Sequence, residues 1–450
     1  MKFTATLTPW FVRQTKSPKL WLFVFSLAFA ATIHLTHARY LYPEHAYLGF
    51  PFVPIGMKEW AFIAASLLLI TQALPLNLLR PSAVIVFMIY VLVYVPTQVI
   101  TVAVEDGALM KFGANLCALT IGFLFILVVT DRLSASVNRQ EQPGDIHSRA
   151  FIFLTVVCAA YLVYAFQDSI NFVGLSGTYE QREAGRSRNM LEAYGQTYLA
   201  FVLSPALLSI GLIRKNLLCI IMALGGFLLV YSITAERTVF LLPLAMVIGF
   251  FLLRSRIPHP LLMLAALAAV SLLFLLSIYF RDSSRIANLS SLYLVFRTFS
   301  VPGAMLWQYQ EVFSEYGYTF WSHVRGIASI VSMPVALDGD ANWPQLGRIV
   351  AIHLLNLDIN SNANLFAYDG VAGAGTWGIL VVSVLLAAWL AALDRLSRGF
   401  GLYFPTLISI PLGLVLVNGP FFTAMMSFGG LFWLLYFLYA RHSQSKRQIQ

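Results

Sequence analysis

Long apolar runs separated by short polar segments recur along the chain from Leu20 to Ala440. About 20 consecutive apolar residues cross the hydrocarbon core of a bilayer as a helix. Twelve stretches approach that length: Leu20–Thr36, Glu59–Leu79, Ser82–Val104, Phe112–Thr130, Ala150–Gln167, Ala193–Ile213, Asn216–Thr234, Thr238–Leu253, Leu261–Tyr279, Trp377–Leu393, Leu402–Val417 and Phe421–Ala440. The runs are continuous and lack the two-residue alternation of barrel strands, so they read as helices. The pairs Gly225–Gly226 and Gly429–Gly430 suit close helix packing. The pattern predicts an all-α polytopic membrane protein with about 12 transmembrane helices, residues 1–450 forming a single membrane domain. No internal repeat or low-complexity segment interrupts it.

Composition agrees. Hydrophobic residues make up 59% of the chain, charged residues 11%, and mean hydropathy is +0.76; soluble domains average about 45–50% apolar and about 25% charged. Such a chain has too few polar groups to cover a surface in water, which excludes a soluble enzyme. An aromatic content of 14% excludes disorder. Cys117, Cys158 and Cys219 each lie inside an apolar run without a partner at a plausible spacing, so packing is their expected role.

The net charge of +9 is explained by topology. With both termini in the cytoplasm, the cytoplasmic segments hold 17 of the 29 basic residues and only four acids, Asp131, Glu141, Asp145 and Asp394. This is the positive-inside bias, and it removes the case for nucleic acid as a partner. The small-residue stretch Ser26-Leu-Ala-Phe-Ala30 resembles a leader cleavage site. The long basic region before it favours a first helix that is retained.

Two outer segments are too long to be simple connections: a first loop, 168–192, and a second, 280–376, with short helices of its own. Within the second, Ser291–Glu315 has helical apolar spacing and is expected to lie on the membrane surface as an amphipathic helix. Arg348–Leu357 is expected to be a short helix. No GxxxxGK[ST] motif is present, so ATP-driven transport is not expected.

The outer face carries ten arginines and two lysines. Arginine there opposes the topological bias, and it is the side chain suited to planar, bidentate recognition of phosphate or carboxylate. Arg237 follows a turn of only Ala235 and Glu236 between two spans, at headgroup depth, where it either meets a ligand phosphate or pairs with Glu236 and snorkels. Arg182, Arg186 and Arg188 fall within seven residues; the bland alternative is a solvated run balanced by Glu180 and Glu183. Arg297 follows an apolar stretch, and Arg281 and Arg285 share a face that Asp282 can neutralise.

For a proton acceptor, His323 and His353 in the second loop are candidates, as are Asp338, Asp340, Asp358 and Asp369; residue types alone do not choose. No metal-ligand spacing or nucleophile elbow occurs. The run Asn360-Ser-Asn362-Ala-Asn364-Leu-Phe-Ala-Tyr368 leads into Gly370, Gly373, Gly375 and Gly378. Its amides and aromatics fit sugar binding, or equally an Asx-turn re-entry loop.

Tyr293–Gly378 resembles the large periplasmic loop of Wzy-type O-antigen polymerases. The resemblance rests on Arg297 followed by Pro302, Tyr316-Gly-Tyr, Leu346-Gly347 and the Asn360–Asn364 run. Gly177–Tyr198, with Arg182 and Arg186 after Gly177-Thr-Tyr, is similar to the smaller loop. The resemblance implies a GT-C-like glycosyltransferase of the bacterial inner membrane. It would polymerise undecaprenyl-diphosphate-linked repeat units at the periplasmic face, by inverting attack with undecaprenyl diphosphate leaving, and would need no cofactor or metal. Its implied partners are lipid-linked oligosaccharides, membrane lipids and a chain-length-regulating co-polymerase. The implied catalytic residues are His353, Arg297 and Arg237. The implied substrate-binding residues are Arg182, Arg186, Arg188, Arg281, Asn360, Asn362 and Asn364. O-antigen ligases share the architecture but carry histidine where this chain reads Asn362-Ala-Asn364, although His353 lies nine residues upstream of Asn362. A lipid-oligosaccharide flippase is the other alternative; midplane ionisable residues and inverted repeats, expected of a transporter, are not seen.

Overall fold

The computed structural model describes residues 17–134, 146–173 and 178–449. Lys2, Arg13, Lys16, Arg139, Glu141, Asp145 and Gly177, to which the sequence assigns topological or family roles, lie outside them. The described chain is 79% helical and has no strands. Its helices are α1 (Pro18–Leu48), α2 (Met57–Ala73), α3 (Pro81–Val102), α4 (Ala108–Leu133), α5 (Ser148–Ala165), α6 (Thr178–Ala184), α7 (Met190–Arg214), α8 (Leu217–Thr234), α9 (Arg237–Arg254), α10 (His259–Ser283), α11 (Arg285–Tyr316), α12 (Leu346–Leu355), α13 (Phe366–Phe400), α14 (Tyr403–Asn418) and α15 (Phe421–His442). Eleven of these are long and apolar enough to cross a membrane. Each of the twelve expected spans is a helix. Ten belong to the eleven, and the other two are the shorter α2 and α14.

The protein is therefore a multi-pass all-α membrane protein. Its two ends are defined by contacts. At one, the basic end, Arg80 pairs with Asp131 at 3.2 Å. The Ser82 N–H and hydroxyl there donate to the buried Asp394 at 3.1 and 2.6 Å, capping α3. At the other, the loop end, Arg281 meets Glu44 at 2.6 Å, and Lys111 meets Glu105 and Glu311 at 3.0 and 2.6 Å. Polar side chains inside the bundle satisfy one another: Tyr90 donates to Ser26 at 2.6 Å, and Thr120 bonds Tyr94 and the Gln98 amide at 3.0 and 3.1 Å.

Helix α11 is packed more deeply than the amphipathic pattern alone suggests. Arg281, just before it, and Glu311, near its end, both sit at the loop end. Between them Val295, Phe296, Phe299 and Pro302–Tyr309 are buried in the bundle. Both faces of the helix find apolar partners. Phe296 stacks on His45 at 4.1 Å, and Phe299 meets Phe274 and Phe29 at 5.6 and 6.4 Å. A Cβ at Gly303 would stand 2.7 Å from Ile100 and 2.9 Å from Pro96, so only glycine allows α11 this close to α3.

The second loop also re-enters the bundle. Residues 360–366 descend into it, and the first turns of α13 climb back beside the rest of that helix. There is no room for a Cβ at Gly378 against the Gly370 carbonyl. The reversal occurs at Ala374 and Gly375, the latter at φ +58°.

Candidate active site

The re-entrant turn is gripped by Gly317–Ser322. The N–H groups of Thr319 and Phe320 donate to the carbonyls of Ala372 and Gly373, both at 2.8 Å. Trp321 packs into the space that Gly373 leaves by lacking a side chain, and Tyr318 does the same at Gly375. Phe320 and Trp321 hold φ of +45° and +61°, a left-handed conformation costly for such residues, which tends to occur at functional sites.

This grip brings together two residues 46 apart in the sequence. His323 Nε2 lies 3.2 Å from Asp369 Oδ1, and the side chains are 4% and 0% exposed. His323 Nδ1 is 3.0 Å from the Thr319 hydroxyl, so both ring nitrogens are engaged. Asp369 is held at three points. Besides His323, the Phe422 N–H donates to Oδ2 at 3.3 Å, and the Trp321 indole N–H donates to the backbone carbonyl at 2.8 Å.

His323 and Asp369 line a cavity of about 640 Å³. Its walls include Arg188, Tyr194 and Thr197 from the first loop and α7, Arg325 and Tyr368 from the second loop, and Phe422, Thr423 and Met426 from α15. The first-loop wall is built firmly. The Gln181 amide donates to the carbonyls of Ser169, Ser232 and Ile233 at 2.6, 2.7 and 3.2 Å, and Gly185 packs so closely on the Ile233 carbonyl that no side chain fits. Asn189 and Glu192 form a reciprocal cap on α7, and Glu192 also accepts from the Arg188 N–H at 2.6 Å. Arg188 is thereby carried at the cavity wall by a fixed helix start.

The other expected residues fall elsewhere. Arg237 lies over the Tyr293 ring at 4.0 Å, and Arg297 is four residues beyond Tyr293 on α11. Arg237 thus joins the start of α9 to the stretch of α11 that carries Arg297, a second basic region apart from the cavity. Beside it, burial pushes the Glu236 carboxyl above its ordinary range, opposed by the Arg182 charge. Arg186 pairs with Glu183 at 3.4 Å, and Arg281 is occupied by Glu44 at 2.6 Å, Asp282 at 3.7 Å and the Tyr40 ring at 5.2 Å. Asn360 and Asn362 are exposed. Asn364 is buried, with φ +66°. Its Oδ1 accepts from the Phe366 N–H, and its Nδ2 donates to the Pro302 carbonyl at 2.9 Å and to Thr97 at 3.3 Å. It is a re-entry residue whose polar atoms are spent on the fold.

His353 is outside the cavity. It lies at 4.6 Å from the Tyr316 ring and bonds Asp340 at 2.9 Å. Burial raises the Asp340 carboxyl, but the bonds from His353 and from the Asn342 N–H and amide outweigh it and hold the group below the ordinary carboxylate range. Charged Asp340 therefore stabilises the fold at pH above the ordinary carboxylate range, and this contribution is lost as pH falls through the lowered value. Asp340→Asn is expected to cost about 1 kcal/mol at neutral pH. Melting in detergent checks this: the wild-type advantage should vanish on acidification, and an advantage that persists well below that range would contradict it.

Among the described residues no group of three or more His, Cys, Asp or Glu gathers as a metal site. Comparison of the chain with protein-family models, curated proteins and solved structures finds no match in any of the three.

Proposed function

We propose that this protein is a glycosyltransferase that polymerises undecaprenyl-diphosphate-linked repeat units of a surface polysaccharide. The observation that carries the reading is one cavity at the loop end, walled by the buried Asp369–His323 pair and by two arginines from separate loops, Arg188 and Arg325. In this reading the loop end faces the periplasm. The basic end and both termini face the cytoplasm, as the positive-inside bias demands, and the membrane is the bacterial inner membrane. Lipid-linked oligosaccharides are the substrates, and a chain-length-regulating co-polymerase is a partner.

The chemistry follows from the donors and acceptors present. A hydroxyl of the incoming unit attacks the anomeric carbon of the growing chain. The new C–O bond forms as the bond to undecaprenyl diphosphate breaks, with inversion. The hydroxyl proton passes to Asp369, whose carboxylate accepts one hydrogen bond on each oxygen and keeps further lone pairs for it. His323 has both nitrogens engaged, so its part is to orient Asp369. The leaving diphosphate gains charge in the transition state, and Arg188 and Arg325 stabilise that state more than the ground state.

One observation favours ligation as a second reading. Through Asp369, His323 supplies the re-entrant segment with the histidine that Asn362-Ala-Asn364 lacks. Incubating the purified protein with a lipid-linked repeat unit, with and without lipid A core, separates the readings. A ladder is expected on the unit alone. Transfer only to lipid A core would establish the ligase, and movement across liposomes without product would establish the flippase.

A further inference from the structure

A second cavity shares two wall residues with the first. Of about 430 Å³, it is lined by Leu385, Ala388, Trp389 and Ala392 of α13 and by Phe421, Phe422, Met425, Met426, Leu431 and Leu434 of α15. Phe422 and Met426 belong to both cavities. No polar or charged group other than the Trp389 indole lines the second, and that N–H is taken by the Gly430 carbonyl at 3.2 Å. The groove has a definite construction. On α13, Leu385, Ala388 and Ala392 recur on one face, and the small alanines hollow it. On the opposite side α15 is interrupted at Ser427–Gly429, where Gly429 holds φ +89°. The break turns Phe422, Met425 and Met426 across the top of the hollow. Leu385, Met426 and Leu431 are 38–52% exposed, so the groove opens sideways on the outer surface of the bundle. Leu385 to Ala392 spans about 10 Å of helix, running from the polar cavity toward the basic end.

A charged chamber that continues into an uncharged lateral trough matches a molecule with an anionic head and a long apolar tail. We infer that the trough between α13 and α15 holds the polyprenyl chain of the lipid-linked substrate whose diphosphate lies at Arg188 and Arg325, the chain entering laterally from the bilayer. This rests on the functional reading above for the identity of the head group. The occupant is a polyprenyl chain rather than bulk phospholipid, because the arginine-bearing cavity at the head of the trough selects what lies in it.

The test uses the full-length protein in proteoliposomes and a sugar-free polyprenyl diphosphate with a photoreactive group in the first isoprene units beyond the diphosphate. Label is expected on peptides containing Trp389 or Met425. Ala388→Trp and Ala392→Trp, which fill the trough from an exposed helix face, should each cut labelling by about tenfold, while Phe153→Trp on the exposed face of α5 should not change it. Excess unlabelled polyprenyl diphosphate should compete, and phosphatidylglycerol should not. Equal competition by phosphatidylglycerol would mean an ordinary lipid-facing surface, and label elsewhere or indifferent to both tryptophans would overturn the assignment. In a parallel arm, repeat units on undecaprenyl diphosphate and on dimethylallyl diphosphate, whose single isoprene is too short to fill the trough, are compared as donors, and the filled variants should lose only the advantage of the long chain. Ladders without label in the trough would sink this inference and leave the glycosyltransferase standing. Label in the trough without any transfer product would do the reverse.

Discussion

Asp369→Asn should slow polymerisation by about 1000-fold while leaving the protein folded and able to bind its lipid substrate. General base catalysis contributes about 10²–10⁴ in rate, and asparagine keeps an oxygen to accept from the Phe422 N–H or His323 but does not take the proton. The loss belongs in kcat, because the group acts on the attacking hydroxyl. His323→Gln should cost less, about 10–100-fold, since it loosens a carboxylate that Phe422 and Trp321 still hold. Single-turnover rates on a lipid-linked unit, with elution profiles to check folding, decide the matter. An Asp369→Asn protein with a tenth of the wild-type rate would remove Asp369 from the base role.

Removing the two cavity arginines should have the second largest effect. Loss of one preorganised donor to a developing charge costs about 10²–10³ in rate, so Arg188→Ala and Arg325→Ala should each lower kcat by that order. Arg237→Ala with Arg297→Ala should also stop chain growth while insertion is preserved, but by a different route. That pair, with Arg237 on the Tyr293 ring, does not line the cavity. It suits the diphosphate of the second lipid-linked unit, so the loss should appear as weaker binding, with KM rising more than kcat falls. Equal kcat losses at both pairs would place all four arginines on one diphosphate. Long chains made by the correctly inserted Arg237→Ala, Arg297→Ala protein would remove the second basic region from the reaction.

The division of the arginines shows what residue type alone conveys. An excess of arginine over lysine in the loop-end segments was legible, because it can be counted along the chain. Which arginines are available was not. Arg281 has the same composition signal as Arg188, yet Glu44, from the end of α1, reaches it at 2.6 Å. That contact depends on α1 continuing as helix to Leu48, twelve residues past the expected end at Thr36. The asparagine run was likewise ambiguous between sugar binding and re-entry, and burial resolves Asn364 in favour of re-entry. The Asp369–His323 pair left one trace in the sequence, a carboxylate set in the apolar, glycine-bordered run Leu365-Phe-Ala-Tyr-Asp-Gly370. A buried charge of that kind needs a partner. Nothing in the spacing named His323, since the two meet only because the N–H groups of Thr319 and Phe320 bond the carbonyls of Ala372 and Gly373.

By itself the sequence determined the membrane class and the position of the twelve helices. These follow from one-dimensional quantities: the thickness of hydrocarbon a helix must cross, and the cost of leaving backbone or charge unsatisfied within it. Tertiary structure decided that α11 is sunk into the bundle, that the second loop dives and returns, and that α15 also breaks at the Gly429–Gly430 pair, which packs closely on Val202 and Met425 as expected. These are choices between surfaces of nearly equal hydrophobicity. Only shape, the fit of Gly303 on Pro96 or of Trp321 in the notch at Gly373, separates one neighbour from another.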